Sequence, residues 1–167
     1  MHISIVVAVS DNNAIGAGGN LLWRLPKDMQ YFKQVTTGHH VLMGRKTWDS
    51  IPPKFRPLTD RVNIIVTRQR DFKAEGALVV KSVEEGIELA KNAGEKELMV
   101  IGGGEIYKQV FPKTDKIYLT KVHATFIDAD TFLNEHFIEG WKVISSENHS
   151  VDDKHPHHFD FVVMERK

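Results

Sequence analysis

The chain has 167 residues, of which 41% are hydrophobic, and this length predicts a single domain spanning residues 1–167. It contains no cysteine, which excludes disulfides, thiolate catalysis and metal sites built on sulfur. The 22 basic residues balance the 22 acidic ones, so the formal net charge is zero. Because a protein that binds nucleic acid usually carries a basic excess, we expect no nucleic-acid partner.

Short apolar runs occupy the first two-thirds of the chain. Ile3–Val9 is almost entirely apolar and rich in Ile and Val, which is typical of a strand buried on both faces. The run is far shorter than the ~20 residues of a membrane span and lacks the basic flank of a secretory signal, so we expect a cytoplasmic protein without a membrane partner. Similar strands are predicted at Val41–Met43, Val62–Val66, Leu78–Val80 and Leu98–Ile101.

Helices are predicted between these strands. Pro26–Thr36 begins with proline, which is favourable at the first helical position. Ser82–Ala93 opens with a capping-box pattern and ends before Gly94. Glu105–Phe111 is stopped by Pro112. Strands that alternate with helices require crossover connections, so a mainly parallel sheet is expected.

The last third of the chain has a different pattern. Lys116–Val122, Trp141–Ser146 and Phe159–Glu165 alternate apolar and polar residues, as strands with one exposed face do. The polar loop Glu147–His158 lies between the last two, which predicts an antiparallel hairpin. We therefore expect an α/β fold whose mostly parallel sheet of about eight strands has an antiparallel C-terminal edge; the strand order cannot be read from the sequence.

Two glycine-containing turns could bind phosphate groups. Gly102–Gly104 separates a predicted strand from a helix start, where glycine lets a ligand approach the backbone N–H groups. Met43–Trp48 has the same layout and adds two cations and a hydroxyl. Neither turn matches the dinucleotide fingerprint or the Walker loop. Each could be an ordinary tight or solvated turn, but two together suit the paired phosphates of a dinucleotide.

Cations follow two further predicted strands. Thr67 and Arg68 stand at the end of Val62–Val66, and Lys81 follows Leu78–Val80. A site that selects NAD tends to place an acidic residue at such a strand end, whereas an NADP site accommodates the 2′-phosphate with arginine. The pattern favours NADP, although solvated cations at strand ends are a common alternative.

Asp28 is a candidate for acid–base chemistry. It shares a helix face with Phe32, and a carboxylate on an apolar face needs a partner and tends to have a raised pKa. The alternative is an ordinary first-turn residue that interacts favourably with the helix dipole. The preceding loop, Asn12–Gly19, is rich in glycine and could act as a lid.

A histidine-rich segment lies near the carboxyl terminus. Its histidines and aspartates are His149, Asp152, Asp153, His155, His157 and His158. Such clusters can bind metal, but the segment also fits the tip of the predicted hairpin, where these residues are usually solvated. We prefer the solvated tip and predict no metal site.

In this order and spacing, the motifs resemble the bacterial dihydrofolate reductase family along essentially the whole chain. The resemblance is carried by Ala14–Gly16, Leu22–Asp28, Phe32, Met43–Trp48, Ile51–Pro52, Arg61, Ile101–Tyr107 and Tyr118–Thr120. It implies a doubly wound sheet split by an active-site cleft, and a monomeric enzyme that uses NADPH to reduce 7,8-dihydrofolate to tetrahydrofolate for one-carbon metabolism. Dihydrofolate and antifolate inhibitors are the implied partners.

The resemblance also implies roles for individual residues. Asp28 would hydrogen-bond the pterin, supported by Thr120, while Trp23 would hold a water molecule; Arg61 would pair with the glutamate α-carboxylate. The implied substrate-binding residues are Val6, Val7, Asp28, Phe32, Ile51, Leu58, Arg61 and Ile101. The implied cofactor-binding residues are Ala8, Ile15, Gly44, Arg45, Lys46, Thr47, Thr67, Arg68, Lys81, Gly103, Gly104, Glu105, Ile106 and Tyr107. The Gly103–Gly104 peptide is expected to be cis.

Two other functions are compatible with parts of this pattern. A pyrimidine reductase of riboflavin synthesis shares the implied fold and NADPH but needs neither Arg61 nor the pair Trp23 and Asp28. A non-catalytic pterin- or nucleotide-binding protein would bind NADPH without oxidising it. Loss of NADPH absorbance on addition of dihydrofolate separates the three.

Overall fold

The computed structural model describes residues 1–18 and 20–167, and its strands include all those predicted from the sequence. They are β1 (His2–Ser10), β2 (Ala14–Gly16), β3 (His40–Gly44), β4 (Val62–Val66), β5 (Leu78–Val80), β6 (Glu97–Gly102), β7 (Lys116–Val122), β8 (Thr131–Phe132), β9 (Trp141–His149) and β10 (Phe159–Arg166). The short strands β2 and β8 were not predicted, and β9 extends three residues into the segment expected to be the hairpin loop.

The predicted helices are also present, with α2 in addition. They are α1 (Pro26–Thr36), α2 (Arg45–Ser50), α3 (Val83–Asn92) and α4 (Gly104–Val110). Ser82 caps α3 by accepting a hydrogen bond from the Glu85 N–H, whereas the Glu85 carboxylate accepts from the Lys81 N–H, one residue before the donor expected in a capping box. In the described part of the chain, no helix is long and apolar enough to cross a membrane.

The main sheet has the strand order β5-β4-β3-β6-β1-β7-β10-β9. Its strands are parallel from β5 to β7, and β10 is antiparallel to both of its neighbours. The chain winds outward from β1 to β5, returns through β6, and then crosses to β7. This topology confirms the doubly wound sheet with an antiparallel C-terminal edge.

Strands β1 and β6 separate partway along the sheet. Their pairing ends at Ile5 and Val100, although β1 continues along β7 to Ser10 and β6 continues along β3 to Gly102. The two strands therefore diverge toward their carboxyl ends. In open α/β sheets, ligands bind at the carboxyl ends of the strands, where the strand order reverses.

Helices cover both faces of the sheet, because side chains alternate along each strand. Ile5 and Val7 of β1 belong to the buried group that includes residues of α3 and α4. Val6 faces the other way and packs with residues of α1 and α2. A third buried group, around Leu25 and Phe159, joins the start of α1 to β10.

A buried carboxylate, Glu95, connects the starts of β3 and β6 at the amino end of the parallel strands. Glu95 accepts hydrogen bonds from Nδ1 of His39 and of His40, at 2.8 and 2.7 Å. It also accepts from the backbone N–H groups of His40, Lys96 and Glu97. Burial raises the pKa of Glu95, but these hydrogen bonds outweigh burial and lower the pKa to about 2.

We expect Glu95→Gln to lower the free energy of unfolding by about 3 kcal/mol at neutral pH. The pKa of Glu95 falls from 4.5 to about 2 on folding, so its contribution is present above pH 4.5 and lost as the pH falls toward 2. The difference in stability between wild type and variant should therefore shrink over that range. Urea unfolding at pH 7 and pH 3 measures it, with the exposed Glu88→Gln as control; equal stabilities at pH 7 would contradict the prediction.

Candidate active site

Asp28 lies in the first turn of α1 and is anchored to the sheet. The Thr120 hydroxyl, in β7, donates a hydrogen bond to Asp28 Oδ1 at 2.7 Å. Ala8 lies beside Thr120 in the neighbouring strand β1, beyond the point where β1 and β6 separate. Burial raises the pKa of Asp28, and the Thr120 hydrogen bond and the Trp23 indole lower it only in part. A partly buried carboxylate thus faces the opening in the sheet.

Trp23 is buried beside this carboxylate. Its indole lowers the pKa of Asp28, yet within the described residues its Nε1 has no hydrogen-bond acceptor of normal geometry. The ring packs against Phe126, with 5.4 Å between the ring centroids. A buried donor without a partner is costly, so this N–H is suited to a polar atom that arrives with a ligand.

Apolar side chains line one side of the opening. Those that pack into a single group are Val6, Phe32, Ile51, Leu58 and Ile101, which brings together the implied walls of the substrate site. The side chain of Val7 packs on the opposite face of β1 instead, because neighbouring residues of a strand point to opposite faces.

Arg61 lies at the far end of this apolar wall. Its Nε donates to the Thr59 carbonyl at 2.8 Å, and its Nη1 donates to the Thr36 hydroxyl at 3.0 Å. Burial lowers the pKa of Arg61, while the neighbouring Asp60 raises it. These two hydrogen bonds use the Nε–H and one N–H of Nη1, so both N–H groups of Nη2 and the second of Nη1 are left for a ligand carboxylate.

The two glycine turns lie against each other. A Cβ atom at Gly44 would lie 3.1 Å from Ile106 Cγ1, and one at Gly103 would lie 3.5 Å from Thr47 Oγ1. The end of β3 and the start of α2 therefore meet the start of α4. The paired phosphate cradle that the sequence suggested for these turns stays a prediction.

The cis peptide is Gly102–Gly103, so the expectation of a cis Gly103–Gly104 bond was wrong. Gly103 is the N-cap of α4, and its carbonyl accepts a hydrogen bond from the Tyr107 N–H at 2.9 Å. The Gly103–Gly104 peptide thus already belongs to the helix, whose peptides are trans. Gly102 has a φ of +121°, and a Cβ there would lie 3.1 Å from the Tyr107 hydroxyl.

The Tyr107 hydroxyl makes a contact that no sequence motif indicated. It donates to the Val6 carbonyl at 2.7 Å, which ties α4 to β1 across the opening. Burial raises the pKa of Tyr107 above its usual value, and the charge of Asp28 adds to this effect. Tyr107 therefore stays protonated and serves as a neutral donor.

The residues predicted to bind the cofactor phosphates follow the carboxyl ends of three neighbouring strands. Gly44, Val66 and Val80 are aligned across β3, β4 and β5. The residues that follow them are Arg45, which begins α2, Thr67 and Lys81, and Arg68 comes next after Thr67. The register thus brings the predicted phosphate-binding groups to the same end of three neighbouring strands.

Some of these groups already have partners within the chain. Arg45 pairs with Asp49 at 2.8 Å, and the Thr67 hydroxyl accepts a hydrogen bond from the Gln69 N–H at 3.2 Å. Glu105 is exposed and accepts from Gln109 at 3.4 Å, one turn along α4. The exposed cations at these strand ends are Lys46, Arg68 and Lys81.

The glycine-rich segment before α1 is tied to a distant loop. Strand β2 pairs with β8, and the Gly18 N–H donates to the Asp130 carboxylate at 2.7 Å. A Cβ at Gly104 would lie 3.8 Å from Ile15 Cδ1, so β2 approaches the start of α4. The lid proposed for this segment includes Gly19, which lies outside the described residues.

The prediction of a solvated hairpin tip was wrong for part of the histidine segment. His155 is only 3% exposed, and His149 stacks on Phe159 with ring centroids 4.9 Å apart. His149 ends β9 and His155 lies in the following loop, and both rings pack against Phe159 of the apolar group at the start of α1. In residues 1–18 and 20–167, no three His, Asp or Glu side chains are placed to hold a metal ion.

Comparisons with known proteins bear on this arrangement. The family model described as dihydrofolate reductase matches residues 2–166. A dihydrofolate reductase of Bacillus subtilis is 39% identical over 99% of this chain and 95% of its own length, and one of Haemophilus influenzae is 40% identical over the full length of both. A solved structure of dihydrofolate reductase from Enterococcus faecalis, complexed with NADP(H) and RAB-propyl, has a TM-score of 0.88 and 31% identity, covering 99% of this chain and 96% of that one.

Proposed function

The chain belongs to the dihydrofolate reductase family, and from this premise we propose that Asp28 and the two glycine turns carry its reaction. The protein is an enzyme that reduces 7,8-dihydrofolate to tetrahydrofolate with NADPH as its cofactor. The observation that supports the residue roles is the Asp28–Thr120 pair, which lies where β1 and β6 diverge.

The residues of the glycine turns fit NADPH. The two turns meet where a Cβ at Gly44 would crowd Ile106 and one at Gly103 would contact Thr47, and glycine backbone of this kind suits the close approach of a pyrophosphate. Arg68 and Lys81 are exposed at the adjacent strand ends, where they would hold a 2′-phosphate. When bound, NADPH supplies the hydride.

Asp28 would orient the pterin and assist its protonation. Thr120 occupies one side of Oδ1, so the remaining lone pairs of the carboxylate can accept from the amino group and ring N–H of the pterin. Because burial raises the pKa of Asp28, the carboxyl group holds a proton at a higher pH than an exposed aspartate does. A water held by Trp23 Nε1 would complete the path to the ring nitrogen.

The apolar wall and Arg61 would hold the rest of the substrate. Phe32, Ile51 and Leu58 would enclose the benzoyl group, because they form one side of the opening. Arg61 would bind the glutamate α-carboxylate beyond them. We expect antifolate inhibitors to compete at this site, while the monomeric state and cytoplasmic location stay predictions.

Purified protein should consume NADPH when dihydrofolate is added, with equimolar formation of tetrahydrofolate. The Asp28→Asn variant serves as the matched control, because it keeps the fold and removes the proposed proton-holding group. Binding of NADPH without its oxidation would contradict the proposed reaction.

We expect Arg61→Lys to raise the KM for dihydrofolate about 10- to 100-fold with a smaller effect on kcat. A lysine ammonium cannot reproduce the two parallel hydrogen bonds of a guanidinium, and a charge-assisted hydrogen bond contributes ~1.5–3 kcal/mol. Steady-state kinetics with dihydrofolate, and with a dihydropterin that lacks the glutamate tail, measure the effect.

The exposed Arg70 offers a matched control, because Arg70→Lys makes the same change away from the site. Arg61→Lys should not change the KM for the tailless dihydropterin. If Arg61→Lys raises the KM for the tailless dihydropterin as much as the KM for dihydrofolate, Arg61 does not bind the tail.

A further inference from the structure

His155 makes hydrogen bonds that the reaction does not use. Its Nε2 accepts the backbone N–H of Lys27 at 3.1 Å, and its Nδ1 bonds Asp152 Oδ1 at 2.7 Å. A backbone N–H can only donate, so Nε2 is the unprotonated nitrogen and Nδ1 carries the proton that Asp152 accepts. Asp152 therefore holds the imidazole in the tautomer that leaves Nε2 free to accept from Lys27.

Helix α1 needs this acceptor. Its N-cap is Leu25, whose side chain has no polar atom, and Pro26 has no N–H. The N–H groups of Asp28 and Met29 both donate to the Leu25 carbonyl, at 3.0 and 3.1 Å. The Lys27 N–H is left as the first-turn donor that requires an outside partner. His155, 128 residues along the chain, supplies it.

The His155 ring, in the loop between β9 and β10, is itself packed against the sheet. It is 3% exposed and lies 5.3 Å from the ring of Phe159, measured between centroids. Phe159 is a buried residue of β10, the strand that pairs with β7, where Phe161 is aligned with Thr120. The acceptor for Lys27 and the donor to Asp28 thus belong to one packed frame.

We propose that His155 is a positioning residue for Asp28. Lys27 and Asp28 are consecutive, so the start of α1 is pinned to the sheet at two adjacent residues, one by His155 and the other by Thr120. This inference rests on the proposed role of Asp28. Loss of the cap lets the first turn shift relative to β7, and a misplacement of about 1 Å can cost up to ~10²-fold in rate.

Two substitutions separate the acceptor from the ring. His155→Phe keeps an aromatic ring against Phe159 and removes the acceptor, and we expect it to lower the hydride-transfer rate about tenfold. His155→Gln places an amide oxygen near the position of Nε2 and should restore most of that rate. His136→Phe, at an exposed histidine, is the matched control and should leave the rate unchanged. All rates are single-turnover rates on protein whose folding is checked by circular dichroism.

A double-mutant cycle with Asp28 distinguishes positioning from general support of the fold. If His155 acts through Asp28, His155→Phe should cost little further rate in an Asp28→Asn background. The proposal is overturned if His155→Phe lowers the rate equally in both backgrounds. It is also overturned if His155→Phe leaves the rate of the wild-type background unchanged while Asp28→Asn is impaired. If Asp28→Asn itself keeps its rate, the proposed role of Asp28 fails and the inference falls with it.

The tautomer can be observed even if His155→Phe does not fold. Nitrogen-15 NMR of the wild-type imidazole should show a protonated Nδ1 and an unprotonated Nε2 for His155. A proton on Nε2 of the neutral ring would exclude the bond from Lys27 and overturn the proposal.

Discussion

Asp28→Asn is expected to slow hydride transfer by ~10²–10⁴-fold at neutral pH, the usual contribution of a positioned proton-transfer group. Asparagine keeps the shape and can still accept the Thr120 hydroxyl at its carbonyl oxygen, but it cannot hold the negative charge or the proton. The loss should shrink at low pH, where the substrate is already protonated. Single-turnover rates measured across the pH range test both expectations.

The stability of this variant should change in the opposite direction from its activity. Burial raises the pKa of Asp28 on folding, so its stabilising contribution is present below the unfolded pKa and lost as the pH rises through the folded pKa. At neutral pH, Asp28→Asn should therefore be at least as stable as wild type in urea. Asp71→Asn, at an exposed position, is the control for the stability measurement. In the activity measurement, near wild-type turnover of Asp28→Asn would remove Asp28 from the mechanism.

NADPH is expected to be preferred over NADH by roughly 10²–10⁴-fold in kcat/KM, mainly through KM. Two charge-assisted hydrogen bonds to a 2′-phosphate, at ~1.5–3 kcal/mol each, give a preference of this order. The register of β3, β4 and β5 brings Thr67, Arg68 and Lys81 to one edge, and no acidic residue stands at the Thr67–Arg68 strand end. Kinetics with both cofactors measure the ratio.

Substitutions then divide the preference among the groups. Arg68→Ala and Lys81→Ala should each lower the NADPH/NADH ratio about tenfold or more, since each removes a charge-assisted bond. Glu105→Ala should change the ratio little, because that carboxylate turns toward Gln109. Arg70→Ala is the matched control. Equal kcat/KM values for the two cofactors in wild type would contradict the role of this edge.

Local patterns were enough to predict many elements of the fold. Helix α1 and strands β4, β5 and β7 have the predicted bounds, because proline at the helix start, short apolar runs and apolar–polar alternation are local signals. The pairing of β2 with β8 was missed, since each strand is two or three residues long and carries no periodic signal.

Much of the site could be predicted as residue types but not as an arrangement. Asp28, Arg61 and the glycine turns follow from motifs and the family resemblance, and their roles stay predictions. The sequence carried no signal that Tyr107 bonds the Val6 carbonyl or that His155 accepts from Lys27. These partners are far apart in the chain, and their distance depends on how the strands order and pack.

The sequence by itself determined the fold class, the family and the chemical groups available for the reaction. Only the tertiary structure decided that β1 and β6 part beyond Ile5 and Val100, that Val7 faces away from the opening, and that Arg45 is paired with Asp49. The physical reason is the range of the interactions. Propensity, capping and periodicity act between neighbours, whereas strand register, burial and hydrogen bonds between distant residues exist only once the whole sheet has assembled.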